Sequence, residues 1–304
     1  MDWTHHILAS AFFLALYDLA KKASVRGNAV LPTLLCSTAF GSAAFLLGLA
    51  LCGALPAAIT FSPLVLAISA VKSLIIATSW IFTFCALRTL PISIATPIRA
   101  SAPALVFCVA FVVYGEVPTV VQACGMMLVF AGYFAFSWAG RHEGIDFFRN
   151  RAVWCAFAGM VFSAGSSLWD KYLFQVLALQ VEQVQVWFQI FLFVIYAIIL
   201  GLVLCFRSVH RALTRSGGAQ VVIGRKFEWR WSIPLIGMFL AAADWFYFTG
   251  LAFPEVPISV AALMRRVSVV VTFLLGAKVF HETNLLRKSA ALAIILAGVA
   301  LLCL

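Results

Sequence analysis

The dominant pattern along the chain is a series of long apolar segments separated by short polar connections. Each segment is about as long as an α-helix that crosses the hydrocarbon core of a bilayer. The fold class predicted from this pattern is therefore an all-α integral membrane protein with ten transmembrane helices. These spans, numbered 1 to 10, are predicted over residues 7–24, 30–52, 63–87, 91–114, 118–139, 152–174, 184–206, 231–252, 257–280 and 285–303.

The composition excludes the main soluble classes. Of the 304 residues, 64% are hydrophobic and 11% are charged, whereas about a quarter of a soluble domain is charged. With a mean hydropathy of +1.07, a soluble enzyme, a disordered chain and a coiled coil are all excluded. The eight cysteines lie scattered through apolar stretches without a C-x-x-C pair, which is typical of small buried residues rather than of a metal or redox site.

The basic residues predict the orientation in the membrane. The connections that follow odd-numbered spans hold sixteen of the 21 Lys and Arg residues, and the other connections hold none. Basic loops favour the cytoplasmic side, so we expect both termini outside, in the cytoplasmic (inner) membrane of a prokaryotic cell. The net charge of +10 is thereby explained without a nucleic-acid partner.

An internal repeat divides the chain. At an offset of 166, Pro91-Ile92-Ser93-Ile94-Ala95 aligns with Pro257-Ile258-Ser259-Val260-Ala261, and Arg99 aligns with Arg265. We therefore predict one five-helix repeat over residues 1–140, a cytoplasmic linker over 141–151 and a second repeat over 152–304. Because five spans is an odd number, the second repeat enters the membrane from the opposite side, an architecture common in secondary transporters.

These repeated motifs resemble the EamA-type drug/metabolite transporter (DMT) superfamily. The resemblance rests on the Pro-x-Ser-Ile/Val-Ala motif that opens spans 4 and 9, on the acidic Glu116 and Glu282 that follow these spans, and on Ala-Gly late in spans 5 and 10. It implies a transporter of small organic metabolites, with spans 3, 4, 8 and 9 bordering a central cavity. Some relatives have both termini in the cytoplasm, opposite to the orientation predicted here.

Charged residues inside the spans are the candidate site, because a charge at the bilayer centre is costly and normally faces a cavity or a partner. Five basic residues exceed three acidic ones, which predicts an anion site. We expect Arg99 and Arg265 to bind the anionic group and Lys72 and Arg266 to support them. Since neighbours on a helix lie about 100° apart, only one of Arg265 and Arg266 should point squarely at the cavity. The remaining candidates, for coupling or ion pairing, are Asp18, Asp170, Lys171 and Asp244.

Other interpretations of these charges remain open. The ions could hold helices together without a ligand, Asp244 with Arg265 or Arg266 and Asp170 with Lys171. Lys171 could also extend its ammonium to the membrane surface. For Glu116 we expect a role in capping the start of the helix that follows it, where the helix dipole favours an anion.

Further candidates are predicted to contact the substrate in the cavity or to gate access to it. Trp80 and Gln189 are predicted substrate contacts. Proline frees a backbone carbonyl one turn earlier, so Pro91, Pro97 and Pro103 make span 4 the predicted gate. No metal ion or other cofactor and no enzymatic activity is expected, since neither a phosphate-binding loop nor a Ser-His-Asp arrangement can be assembled.

The function predicted from the sequence is secondary active transport of a small anionic or zwitterionic metabolite by alternating access. The alternatives are an exporter of hydrophobic drugs or lipids, and a membrane receptor or scaffold that does not transport. The expected partners are this substrate and membrane lipid, with the protein acting as a monomer or homodimer.

Overall fold

The structure, a computed structural model, describes residues 2–25, 28–89, 102–138, 151–205, 227–268, 271 and 285–302. Within these ranges all regular structure is helical. The helices are α1 (Trp3–Val25), α2 (Val30–Leu51), α3 (Leu55–Ala58), α4 (Pro63–Thr89), α5 (Ala102–Tyr114), α6 (Val120–Trp138), α7 (Arg151–Lys171), α8 (Val181–Cys205), α9 (Ser232–Leu251), α10 (Ile258–Arg265) and α11 (Leu285–Leu302).

Every predicted span overlaps one of these helices, in chain order, and the short α3 is additional. Five helical stretches of the described chain are long and apolar enough to cross a membrane: Val30–Leu51, Pro63–Thr83, Arg151–Val176, Val181–Cys205 and Ser232–Leu251. In lipid, a helix satisfies its backbone hydrogen bonds within its own segment, which explains why these apolar sequences are helical. The chain is thus a helical membrane protein.

Two helical spans depart from regular α geometry. After Lys171, α7 continues as a π-helical turn over Tyr172–Val176. In span 9, which was predicted to run unbroken over 257–280, α10 ends at Arg265. The N–H groups of Arg266 and Val267 donate to carbonyls three residues earlier, Leu263 and Met264, at 2.9 and 3.0 Å. This tighter winding interrupts the span beside its two arginines.

Helices of the first half of the chain pack on helices of the second half, and many of these contacts occur in matching pairs. α1 packs on α9 as α7 packs on α4, α2 packs on α9 as α8 packs on α4, and α1 packs on α10 as α7 packs on α5. The pairs α2–α8, α5–α10 and α6–α11 each join corresponding helices. Each of these contacts thus has a counterpart when the first half is exchanged with the second.

Glycines allow the closest of these contacts. A Cβ atom on Gly237 of α9 would collide with the carbonyl oxygen of Ser37 on α2, and one on Gly41 would lie 2.8 Å from the carbonyl oxygen of Gly237. Small residues at helix interfaces in membranes let backbones approach in this way. The contact fixes α2 against α9 next to the polar centre of the protein.

Candidate functional site

A cavity of about 160 Å³ lies between helices of both halves. Its wall includes residues of α1, α4, α5, α7, α8, α9 and α10, so it is central to the bundle. The volume is roughly ten times what a single water molecule needs. Among the described residues, seven Asp, Lys and Arg side chains line it: Asp18, Lys21, Lys72, Asp170, Asp244, Arg265 and Arg266.

Lys72 of α4 and Asp170 of α7 form an ion pair across the two halves. Their side chains are 2% and 5% exposed. The Lys72 ammonium also lies 4.7 and 4.5 Å from the ring centres of Phe188 and Phe248, where the negative faces of the rings attract a cation. Lys72 and Asp170 therefore form a buried ion pair that is flanked by two phenylalanine rings.

Arg265 and Asp244 form a second ion pair on the cavity wall. An Nη atom of Arg265 lies 2.5 Å from an Asp244 carboxylate oxygen, and the guanidinium carbon lies 4.2 Å from the ring centre of Tyr247. Arg265 is the last residue of α10, where the helix dipole favours a cation. This is the pairing that the sequence offered as an alternative to a free guanidinium.

Arg266 also lines the cavity, next to Arg265. The regular winding of α10 ends at Arg265, so the angle of about 100° between neighbours on an unbroken helix does not apply to this pair. That only one of them points squarely at the cavity stays a prediction.

Lys171 lies apart from this cavity, in an ion pair with Glu116. The Lys171 ammonium also lies 5.0 Å from the ring centre of Tyr114. Both members of the pair are largely buried, at 12% and 8% exposure, so the Lys171 ammonium is held against Glu116 and is mostly shielded from solvent. Asp170 and Lys171, the neighbours proposed as a pair, thus have different partners.

Glu116 caps a helix of the other half. Its carboxylate accepts hydrogen bonds from the backbone N–H groups of Ile258 and Ser259, at 2.8 and 3.3 Å, and from the Ser259 hydroxyl at 2.8 Å. The expectation that Glu116 caps the following helix, α6, is wrong. That helix begins with a capping box, in which Thr119 and Gln122 exchange hydrogen bonds of 3.2 Å.

The remaining candidates are distributed differently. Trp80 lines the central cavity and stacks on Tyr196 with an interplanar angle of 15°, and Pro103 lines it from the first turn of α5. Gln189 instead lines a smaller neighbouring cavity between α2, α8 and α9. Arg99, Pro91 and Pro97 lie outside the described residues.

Phe188 and Phe248 are site residues that the sequence did not single out. Both line the cavity and flank the Lys72 ammonium, yet they are two of 28 phenylalanines. No signal along the chain separates them from lipid-facing phenylalanines. The described residues include no cluster of three or more His, Cys, Asp or Glu side chains that could hold a metal ion.

Comparison with known proteins supports the fold and the family. Residues 4–138 match the EamA-like transporter family, and no curated protein matches the sequence. The fold is similar to that of a solved structure titled "Crystal structure of protein", with a TM-score of 0.70 and 19% identity over 99% of this chain and 98% of the other. Residues 4–138 are thus similar in sequence to the EamA-like transporter family, which is part of the drug/metabolite transporter superfamily.

Proposed function

We propose that the protein is a secondary transporter that moves a small anionic or zwitterionic organic metabolite across the cytoplasmic membrane by alternating access. The observation that carries the proposal is the pair of ion pairs, Lys72–Asp170 and Arg265–Asp244, on the wall of one central cavity. Buried charges are costly in a membrane protein, so their concentration at a cavity favours a role in ligand binding.

The two halves form an inverted repeat in this proposal. It is supported by the sequence repeat at an offset of 166 and by the helix pairs that interchange when the halves are exchanged. Rocking of one such half against the other would expose a site between them alternately to each side of the membrane. The cavity lies between helices of both halves, as this mechanism requires.

Substrate binding would proceed by exchange of ionic partners. A substrate carboxylate or phosphate can take the place of Asp244 on the guanidinium of Arg265, because guanidinium groups bind these anions with two parallel hydrogen bonds. An ammonium group on a zwitterionic substrate can then pair with Asp244 or Asp170. With a zwitterionic substrate each of these charges keeps a partner throughout, so the exchange avoids leaving an unpaired ion in a low-dielectric cavity.

The contacts of Glu116 act as a gate in this scheme. Glu116 follows α5 in the first half, whereas Lys171, Ile258 and Ser259 all belong to the second half. These contacts join the halves on the face that carries the connections poor in basic residues. Opening the cavity toward that face would require them to separate.

The lining argues against the alternatives. The cavity of an exporter of hydrophobic drugs or lipids would be expected to have an apolar wall, whereas the described part of this wall holds seven Asp, Lys and Arg residues. A receptor or scaffold has no need of paired charges at the centre of its bundle. Transport measurements distinguish ion pairs that only stabilise the bundle from ion pairs that bind substrate.

Flux into liposomes tests the proposal. The purified protein should exchange radiolabelled organic anions and amino acids from a small panel, and Arg265→Gln and Asp244→Asn should each abolish the flux. Arg230→Gln is the matched control, since Arg230 lies outside the cavity and pairs with Glu228 at 3.2 Å. Full flux in folded Arg265→Gln protein would reject the anion site, and flux of only uncharged, hydrophobic compounds would favour the exporter.

A further inference from the structure

One face of α9 contacts the cations of both ion pairs. Tyr247 and Phe248 lie three and four positions after Asp244, a spacing that places side chains on the same face of a helix, and all three line the central cavity. The Tyr247 ring lies against the guanidinium of Arg265, and the Phe248 ring lies against the ammonium of Lys72. Arg265 therefore has two partners on α9, a carboxylate and an aromatic ring.

These two partners hold the guanidinium in different ways. Asp244 accepts a hydrogen bond from an Nη atom at 2.5 Å, whereas the guanidinium carbon lies over the Tyr247 ring, 4.2 Å from its centre. The ring attracts the cation through the negative charge on its face and needs no hydrogen bond to do so. A substrate anion that takes the place of Asp244 therefore competes with the carboxylate for N–H donors, but it does not compete with the ring.

The guanidinium also has a donor that Asp244 leaves unused. The Nε atom of Arg265 is buried and makes no hydrogen bond with any described residue. A carboxylate or phosphate that binds through two parallel hydrogen bonds can accept from Nε as well as from an Nη atom. The guanidinium thus lies in a position where an anion can gain one hydrogen bond more than Asp244 makes.

This position depends on contacts outside the helix that carries Arg265. The regular winding of α10 ends at that residue, and an arginine side chain without a partner samples many rotamers. Ordering such a side chain at the moment of binding costs conformational entropy. Tyr247 is 1% exposed, so its ring is fixed within the bundle. It can keep the guanidinium in place after Asp244 has released it.

We propose that Tyr247 is a positioning residue for anion binding, whose ring holds the Arg265 guanidinium at the cavity wall while a substrate anion replaces Asp244. This inference rests on the proposed function and assigns the residue that prepares its anion site. Without the ring, anion binding must also order the arginine, which should weaken binding about 2- to 10-fold. The transport step that follows binding should change little, because the ring does not contact the anion in this scheme.

The concentration dependence of flux into liposomes tests this role. The probe is the labelled organic anion or amino acid that the wild-type protein moves fastest. Tyr247→Leu should raise the KM about 2- to 10-fold with little change in kcat, whereas Tyr247→Phe keeps the ring and should change the KM by less than about twofold. Phe246→Leu is the matched control on the same helix. The Phe246 ring stacks on Phe13 at 5.6 Å, outside the cavity wall, so this variant should keep the wild-type KM.

A fluorinated series separates attraction for the cation from simple packing. Position 247 can carry phenylalanine with one, two or three ring fluorines, which withdraw electron density from the ring face with little change in size. If the ring holds the guanidinium, the KM should rise at each step. The unfolding temperature in detergent should also fall at each step in protein that has Arg265, but not in Arg265→Gln protein. These conservative variants serve even if Tyr247→Leu does not fold.

The outcomes distinguish this inference from the proposed function. An unchanged KM in Tyr247→Leu protein that still moves the probe would overturn the role of Tyr247 and leave the proposed function intact. A KM that rises in Tyr247→Leu but does not follow fluorination would also overturn this role, because packing would then explain the change. If the wild-type protein moves no compound of the panel, the proposed function fails, and the role of Tyr247 in anion binding fails with it.

Discussion

The Lys72–Asp170 pair gives a prediction that separates packing from function. We consider the single changes Lys72→Met and Asp170→Leu, and the double change Lys72→Met/Asp170→Leu. Either single change leaves one charge without its partner at a site where the two side chains are 2% and 5% exposed. Such an uncompensated buried charge is expected to lower the free energy of unfolding by about 3–5 kcal/mol.

The double variant is expected to recover most of that loss. Replacing both members of a buried pair by apolar residues of similar volume is often neutral or stabilising. Lys72→Met also loses the contacts of the ammonium with Phe188 and Phe248, each worth about 0.5–2 kcal/mol, so recovery should be incomplete. The interaction energy from the double-mutant cycle, which is the sum of the two single costs minus the cost of the double change, should be about 4 kcal/mol or more.

Equilibrium unfolding in mixed micelles measures the change in the free energy of unfolding for the two single variants and the double variant. Liposome flux measures transport by the same proteins. If each single change costs less than about 1 kcal/mol and the effects add, the pair behaves like an exposed salt bridge and the reasoning from burial is refuted. If the double variant is stable and transports at the wild-type rate, Lys72 and Asp170 only stabilise the bundle. We expect a stable double variant without flux.

Three further predictions follow from other contacts. Gly237→Ala should cost about 1–3 kcal/mol of stability by overpacking, because its Cβ would meet the backbone of Ser37; Gly201→Ala, a helical position with no atom within 4 Å of the added Cβ, should be neutral or stabilising in the same unfolding assay. Glu116→Gln should lower the free energy of unfolding by about 1–2 kcal/mol, because the ion pair with Lys171 is lost and the cap on α10 is weaker. It should also change the transport rate. Unchanged rate and stability would contradict a gating role for the Glu116 contacts. For the orientation, single-cysteine variants of the protein can be labelled in whole cells with a membrane-impermeant maleimide. The exposed Cys52 should react directly, and the exposed Cys205 should react only after the cells are permeabilised. The reverse pattern would contradict the proposed orientation.

The helices were predictable because lipid leaves the backbone few alternatives. An apolar segment of membrane-spanning length must satisfy its own hydrogen bonds, so hydropathy alone located α2, α4, α8 and α9 to within a few residues. The short α3 (Leu55–Ala58) escaped this reasoning, since four residues are too few to span. The interruption at Arg265 escaped it too, because the segment around it remains apolar enough to predict a continuous helix.

Most charged residues of the cavity wall were predictable, but their partners were not. The cost of burying a charge in a span marks it as a candidate, and this criterion selected Lys72, Asp170, Asp244 and Arg265, all of which line the cavity. Which charges pair depends on how the helices pack, and Lys72 and Asp170 are 98 positions apart. The capping box of Thr119 and Gln122, which are three positions apart, is a local sequence signal. It could have shown that α6 is capped without Glu116.

The pairing pattern also narrows the charge of the substrate. Counting along the sequence gave five basic against three acidic residues in the spans, but Lys171 is neutralised by Glu116 away from the cavity. Among described residues, the cavity wall carries four basic groups, Lys21 included, against three acidic ones. A monoanion would bring this count to four basic against four acidic groups, and a zwitterion would add one group of each sign. A dianion would bring it to four basic against five acidic groups, at the cost of one negative group buried without a partner. We therefore expect monocarboxylates and amino acids to compete for transport more strongly than doubly charged phosphate esters.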